Sequence, residues 1–398
     1  MIELSTHDAG ARTTPDGRGR ALAPARRRSA RRSLCTVAAF AFFLPAAHGT
    51  SAEPSDVPAP ERLSEAPPVG HLLAPGLVFS GYATLQALVP DDTPLLSQMQ
   101  EDRLDDPQYS HRARLDVSHL SGIAWWEPSP AWKVLAEVDM QDVVQLPGHS
   151  DVDDGRTSAP YASLERLYVD YHFSDSLGVR AGKFLTPIGR WNQEHSDPQT
   201  WTVLRPFISQ SAFPTTTTGV MGFGSLPAGA QWINWQAYVS GHGDWRANPH
   251  GHPFERAWGA RLYTDLDPQL QVGMSYSRFV ENDYAHTRFQ LTGLDATWSL
   301  SGAELSAEAI LRRSASGAPG REDGWFAQAA LPLVERWWAV VRLEAYRRAI
   351  DETAYRTALA GLVYRSGDHW VLKAEWAQPS GEGAGLPSGL LASLTFVY

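Results

Sequence analysis

The sequence predicts an all-β fold, a transmembrane antiparallel up-and-down β-barrel of about sixteen strands, and three observations lead to it. Segments of alternating apolar and polar residues recur from about residue 76 to the last residue. No apolar run after the N-terminal region reaches the roughly 18 residues of a membrane-spanning helix. Short connections between the segments alternate with longer ones, as in transmembrane barrels.

Residues 1–52 predict a secretory signal peptide rather than part of the fold. Five arginines between positions 26 and 32 precede an apolar run at 34–44, and small residues follow that run. A basic segment, a short apolar run and small residues are typical of such a peptide. We expect cleavage after Ala52, with Gly49 as the alternative. Cys35 is the only cysteine of the chain, so a disulfide framework is excluded.

Residues 53–75 contain six prolines and predict an extended periplasmic lead-in. Removing residues 1–52 takes away eight arginines and three acidic residues, so the net charge falls from −10 to −15. A nucleic-acid partner needs a basic face, and an acidic protein of this kind disfavours one.

Period-two alternation predicts the strands themselves. In residues 132–141, apolar side chains alternate with Lys133, Glu137 and Asp139, so one face is apolar and the other is largely charged. If the apolar face meets lipid, the polar face lines water, and closure of the sheet satisfies every backbone group. The predicted strands are 77–86, 112–124, 132–142, 163–173, 178–185, 219–224, 230–239, 256–264, 269–279, 287–299, 303–313, 324–331, 337–347, 355–365, 369–377 and 389–398.

Aromatic content and strand number both favour a water-filled barrel. The chain has 15 Trp and 13 Tyr residues, the side chains that concentrate at membrane interfaces. A β-sandwich also alternates, but a chain of this length would need several such domains with linkers between them, and we find no linker after residue 75. About sixteen strands leave an aqueous channel rather than a core filled with side chains.

Three segments resemble known outer-membrane proteins. The last strand places alternate apolar residues on one face and ends at Tyr398, which resembles the C-terminal strand that the barrel-assembly machinery recognises. Residues 79–85 (FSGYATL) and 180–192 (RAGKFLTPIGRWN) resemble a family of proteobacterial porins that is loosely related to the phosphate-selective porins. The resemblance implies an outer-membrane location and a pore. It also implies that the third outer loop folds inward and narrows the channel.

By the alternation of short and long links, residues 186–218 form that third outer loop. A loop of this length without a strand pattern is more often functional than accidental. Its charged residues are the predicted constriction: Arg190, Glu194, His195, Asp197 and Arg205. The predicted inner wall that faces them carries Arg112, Arg114, Lys133, Glu137, Asp139, Asp170 and Arg180. The alternative is a surface loop whose charges are simply solvated.

A channel of this kind works by passive diffusion through a polar lumen, whose width limits solute size and whose charges bias ion sign. It needs no cofactor, no metal ion and no catalytic step, so we predict a porin and not an enzyme. A phosphate path would need many basic groups, yet the chain has only three lysines, although arginine also pairs well with phosphate. We therefore expect weak selectivity, with cations mildly favoured.

Two other classes of function remain open at this point. The run from Glu194 to Asp197 (EHSD) invites a hydrolase site, although adjacent residues on an extended loop point in different directions and no G-x-S-x-G motif occurs. A metal site formed by His242, His250 and His252 has no carboxylate or cysteine pattern to fix its geometry. The other class is a barrel that serves as a scaffold or adhesin without an open pore.

The expected partners are outer-membrane lipid, the barrel-assembly machinery and further copies of the chain. Small residues on the outer wall would let copies pack closely, and a homotrimer is one arrangement that the sequence leaves open. The outward positions considered for this contact are Ala303, Ala307, Ala309, Leu359 and Gly361.

Overall fold

The structure is a computed structural model that describes residues 70–90, 113–147, 160–174, 176–241, 243–245, 253–282, 286–315, 321–347, 354–380 and 388–398. The predicted signal peptide, residues 1–52, lies outside the described residues. Within these ranges no helix combines the length and apolar character that a bilayer crossing demands.

Strands make up most of the described residues. They are β1 His71–Ala74, β2 Leu77–Pro90, β3 Arg114–Ser129, β4 Trp132–Pro147, β5 Tyr161–Ser174, β6 Leu177–Leu185, β7 Thr216–Ala228, β8 Gln231–Ser240, β9 Phe254–Asp267, β10 Leu270–Glu281, β11 Arg288–Leu300, β12 Ala303–Ser314, β13 Arg321–Val334, β14 Trp337–Arg347, β15 Ala354–Ser366, β16 Trp370–Ser380 and β17 Gly389–Val397. Two short helical segments lie between β6 and β7, the 3-10 helix Trp191–Gln193 and the α-helix α1, Phe207–Ser211.

The sixteen strands from β2 to β17 form one closed antiparallel barrel, and this confirms the predicted fold class. Each strand pairs with the next along the chain, and β17 pairs with β2 to close the sheet. Every predicted strand overlaps one of these sixteen, with ends that differ by up to five residues. The sequence did not predict β1, which lies within the proline-rich segment 53–75 and pairs with the first residues of β2.

The seam between the first and last barrel strands depends on Gly81 and Tyr398. The two residues exchange backbone hydrogen bonds of 3.1 and 3.0 Å, and the Tyr398 hydroxyl donates to the carbonyl of Ser121 at 2.8 Å. A Cβ atom at position 81 would lie 2.6 Å from the Tyr398 ring. Glycine is therefore required there, because the aromatic ring covers the backbone at the point where the barrel closes.

Link length divides the barrel into two ends, as the sequence predicts. The shortest links hold two residues, as at Ser301 and Gly302, where φ is 50° and 83°. Two consecutive positive φ values suit the type I′ turn, whose twist matches the flanking strands. At the opposite end the links range from residues 282–287 to residues 186–215.

The two faces of the sheet differ sharply in character. On β4, Val138 and Met140 are 45% and 40% exposed, whereas Glu137 and Asp139, which alternate with them, are almost fully buried. The outward face is thus apolar and the inward face polar, the arrangement of a barrel that stands in hydrocarbon. Aromatic side chains pair across the outward face near the short links: Trp132 with Tyr171, Trp337 with Tyr364, and Trp370 with Phe396. Such a girdle is typical of a membrane interface.

Candidate pore constriction

The segment between β6 and β7 enters the barrel because β6 stops early. β6 has nine residues, and Leu185 pairs with Thr216, so the chain leaves the wall and returns to it at the same height. The predicted end of the loop at residue 218 is three residues too late, since Thr216–Thr218 still pair with β6. The side-chain amides of Asn192 and Gln193 both donate to the carbonyl of Thr186, which closes the root of the loop.

Basic side chains of the inward face donate hydrogen bonds to the loop backbone. Lys373 donates to the carbonyl of Asp197 at 2.7 Å, and Arg342 donates to that of Leu204 at 2.8 Å. Arg365 and Arg312 do the same for Pro198 and Ala212. These cations come from β12, β14, β15 and β16, so the loop lies across the interior and reaches the wall opposite its root.

Acidic side chains of the same wall accept hydrogen bonds from the loop N–H groups. The two carboxylate oxygens of Glu375 accept from Val203 and Leu204 at 2.9 and 2.8 Å. Glu344 accepts from Phe207 at 3.1 Å, and Glu308 accepts from Trp191 at 2.5 Å. These charges are therefore occupied in holding the main chain. The loop backbone inside the barrel has the partners that buried N–H and C=O groups require.

Apolar packing seals the same side of the barrel. In α1, Phe207 and Ile208 are only 4% and 2% exposed, and the Phe207 ring stacks on Tyr346 at 6.1 Å. Leu204 packs with Leu88, Leu359, Ala377 and Leu391. We call this region, from β11 through β17, the anchored side. Leu359 and Gly361 lie on its inward face, so the expectation that these two residues point outward toward a partner subunit is wrong.

The predicted constriction residues lie on the other side of the loop, nearer β3, β5 and β10. Arg190 pairs with Glu194 at 2.9 Å, and these side chains are 28% and 49% exposed. His195 Nε2 lies 3.2 Å from Glu165 on β5. Asp197 lies 2.9 Å from His119 Nδ1 on β3, with 22% and 18% exposure. The Arg205 guanidinium lies 5.7 Å from the ring of Trp191.

The structure thus joins two of the five predicted residues, His195 and Asp197, to titratable wall residues that sequence reasoning missed. We define the polar cluster as the partly exposed groups on this side of the loop together with the wall residue Asp139, which is almost fully buried. Its members are His119, Asp139, Gln141, Glu165, His195, Asp197 and Arg205. His119 carried one signal, the inward parity of a polar residue on a strand, whereas Glu165 shares the outward parity of Leu167 and meets the loop because β5 has a bulge at this point. That signal does not tell which polar residues meet the loop.

The predicted wall residues form ion pairs and ring contacts along β3 to β6. Arg180 and Asp170 share two hydrogen bonds of 2.8 and 2.9 Å. Glu137 accepts from Arg166 at 2.5 Å, and the Lys133 ammonium lies 3.7 Å from the centre of the Trp125 ring. Asp139 accepts from Gln141 at 2.7 Å. Arg112 lies outside the described residues, and Arg114 begins β3 with a side chain that also lies outside them.

Solved structures that share this fold include outer-membrane proteins. The anion-selective porin from Comamonas acidovorans has a TM-score of 0.54 at 12% identity, over 81% of this chain and 99% of that one. OmpF of Salmonella typhi, in complex with daunomycin, has a TM-score of 0.56 at 8% identity, over 81% and 97%. A trimer form of OmpT, an outer membrane protein of Vibrio cholerae, has a TM-score of 0.50 at 9% identity, over 81% and 99%. The fold is that of an outer-membrane porin.

Sequence comparison adds little to this porin fold. No family model matches the chain. A stretch of 95 residues is 35% identical to an uncharacterized protein of Aquifex aeolicus (strain VF5). It covers 23% of this chain and 20% of that protein, so the chain spans about a fifth of that relative's length.

Two charged groups of the loop have shifted pKa values. Burial by itself raises the pKa of Asp197, but the charge of His119 and its hydrogen bond outweigh burial, so the pKa lies below its usual range. Burial lowers the pKa of Arg190, whereas the Glu194 carboxylate raises it, and the net shift is upward. Both side chains are therefore charged at neutral pH.

The loop run from Glu194 to Asp197 does not assemble a nucleophile and base. His195 Nδ1 contacts the carbonyl of Asn192, and its Nε2 faces Glu165. The Ser196 hydroxyl donates to Gln199 instead. Among the residues that the structure describes, no group of three His, Cys, Asp or Glu side chains could hold a metal ion. His242, His250 and His252 lie outside those residues.

Proposed function

We propose that the chain is a porin of the bacterial outer membrane, a channel for passive diffusion of small hydrophilic solutes and ions. The observation that carries this proposal is the loop between β6 and β7. It lies across a closed barrel, and charged side chains on the side of the polar cluster stay partly exposed. A fixed narrowing lined by charges selects by size and charge and needs no catalytic step.

Charge pairing supports weak ion selectivity. The inward cations and anions of β4 to β11 neutralise each other, so little net field is left to favour one sign. The pairs are Arg166 with Glu137, Arg180 with Asp170, Arg261 with Asp295, and Lys183 with Asp244. The net charge without the signal peptide is −15, so we expect a mild preference for cations. The Comamonas porin is described as anion-selective, and this chain would differ from it.

Reconstitution in planar bilayers tests both parts of the proposal. We expect stepwise single-channel currents, which identify a pore. Under a KCl gradient, we expect a small reversal potential whose sign shows that cations permeate more easily than anions. Absence of steps would contradict the pore, whereas clear anion preference would contradict only the charge argument.

A second candidate is a barrel that acts as a scaffold or adhesin without conducting. The dense packing of the anchored side favours it, because Leu204, Phe207 and Ile208 fill space that an open porin leaves to water. Uptake of neutral sugars of graded size into proteoliposomes separates the two candidates. A porin admits the small sugars and excludes the large ones, and a filled barrel admits none.

The partners and the export route follow from the same proposal. The apolar outer wall would be covered by outer-membrane lipid, and the strand that ends at Tyr398 would be recognised by the barrel-assembly machinery. Residues 1–52 would be cleaved on export. Trimer formation is proposed by analogy with the trimer form of the Vibrio protein, and crosslinking in detergent would detect it.

A further inference from the structure

Two oppositely charged groups of the polar cluster have hydrogen-bonding capacity that no neighbouring residue of the cluster uses. One carboxylate oxygen of Asp139, Oδ2, accepts from Gln141, but Oδ1 has no hydrogen-bond partner among the described residues. Asp139 is only 5% exposed. The Arg205 guanidinium has no ion pair or hydrogen bond within the described ranges, and its one recorded contact is the Trp191 ring. Buried polar atoms without partners are rare and call for an explanation.

Asp139 and Arg205 belong to one electrostatic neighbourhood. Both charges act on the His119 ring and on the Tyr82 hydroxyl. The remaining acids there have partners, since Asp197 is hydrogen-bonded to His119 and Glu165 to His195. One anion and one cation are therefore left with capacity for a ligand.

We propose that the polar cluster holds a subsite for zwitterionic solutes of amino-acid type. The solute ammonium would donate to Asp139 Oδ1, and its carboxylate would accept from Arg205. Charge-assisted hydrogen bonds of this kind are stronger than neutral ones. A solute that carries both charges satisfies both groups at once, which an anion or a cation alone does not. The Trp191 ring beside Arg205 restricts the directions from which a carboxylate can approach.

The test compares glycine with glycolamide, a neutral isomer of the same formula. This inference rests on the proposed pore, so glycolamide serves as the measure of the pore itself. Labelled solutes are supplied at low concentration to proteoliposomes that contain the full protein, and initial uptake rates are compared. We expect glycine to enter about threefold faster than glycolamide, the factor expected from one partly solvated charge interaction.

Substitutions test whether the preference for glycine depends on Arg205 and Asp139. Arg205→Gln and Asp139→Asn should each bring the glycine to glycolamide ratio to about one, whereas Arg205→Lys should keep most of the preference. Arg347→Gln, at the end of β14 and paired with Asp323, is the matched control and should leave the ratio unchanged. A change in gel mobility when the sample is heated confirms that each variant is folded.

The outcomes separate the two proposals. If glycolamide does not enter through the wild-type protein, the proposed pore fails. If glycolamide enters normally and the wild-type ratio is one, the pore stands and the subsite is refuted. The subsite is also refuted if the ratio exceeds one but Arg205→Gln and Asp139→Asn leave it unchanged.

Discussion

The anchored side of the barrel and the polar cluster use the same kinds of side chain for different ends. On the anchored side, Arg342, Lys373 and Glu375 are at most 3% exposed and bind the loop backbone. In the polar cluster, His119 and Asp197 are 18% and 22% exposed, and they pair with each other. A charged residue on the inward face therefore lines water only where the loop backbone does not reach it.

This difference predicts where substitutions change stability and where they change transport. A charge that holds buried backbone cannot be removed without leaving an unsatisfied group, which costs more than loss of a partly solvated pair. Variants of the anchored side should therefore lower stability and widen the pore. Variants of the polar cluster should change selectivity with little effect on stability.

The largest effect is expected for Phe207→Ala. Phe207 stacks on Tyr346 and packs with Tyr355 in the interior, so its truncation should lower the free energy of unfolding by about 3 to 5 kcal/mol. Because α1 loses its anchor, mean single-channel conductance and current noise should both rise. Phe173→Ala is the control, since that ring is 63% exposed on the outward face and should leave conductance unchanged. Equal conductance in the two variants would mean that α1 is not held by this packing.

A smaller effect is expected for Glu375→Gln. The amide keeps the volume but can accept only through one oxygen, so one of the N–H groups of Val203 and Leu204 loses its partner. The cost should be about 1 to 3 kcal/mol, measured by urea unfolding in lipid vesicles. Glu335→Gln, in a turn with its side chain 87% exposed, should change neither stability nor conductance. A similar loss from both variants would contradict the role of Glu375.

Asp197→Asn should cost still less, within about 1 kcal/mol, because its pair with His119 is partly solvated. The expected change is in transport instead. Removal of one negative charge beside His119 should move the reversal potential in a KCl gradient toward anions. Unfolding and reversal potential measured on the same preparation show whether Asp197 acts on stability or on transport. A large loss of stability without a change in selectivity would mean that Asp197 is one of the groups that anchor the loop.

The sequence could predict the barrel because each strand carries its own evidence. Alternation in residues 132–141 assigns Val138 to the outside and Glu137 to the inside whatever the neighbouring strands do, and the structure agrees. Boundaries were less certain where alternation failed, as at Thr216–Thr218, since three consecutive threonines have no apolar face. The short strand β1 was missed because prolines precede it and it has only four residues.

The candidate site could be predicted only in part, since it depends on the path of one loop. The sequence identified Glu194, His195 and Asp197 as charged loop residues, but not their wall partners His119 and Glu165. Nor could it separate Lys373, which holds the loop, from Lys133, which lies over Trp125. His119, Lys133 and Lys373 all have inward parity on a strand, and Glu165 is turned inward by a bulge that the sequence does not reveal. Contacts between residues more than 100 positions apart along the chain, such as Arg342 with Leu204, decide which of them face water.

The smallest expected effect is the pH dependence of the contact between Asp197 and His119, which belongs to the polar cluster. The pKa of Asp197 in the folded protein lies below its usual range because of His119. The stabilisation is thus fully present above the unfolded-state value of about 3.9 and is lost as the pH falls through the lower folded-state value. Between pH 7 and about pH 4, current noise of the wild type should be constant, and it should increase only at lower pH. The Asp197→Asn variant should lack this particular increase, because its amide does not titrate. If current noise changes with pH differently in the two proteins above pH 5, the pKa of Asp197 is not lowered as described. His119 rather than Asp197 would then control the loop tip.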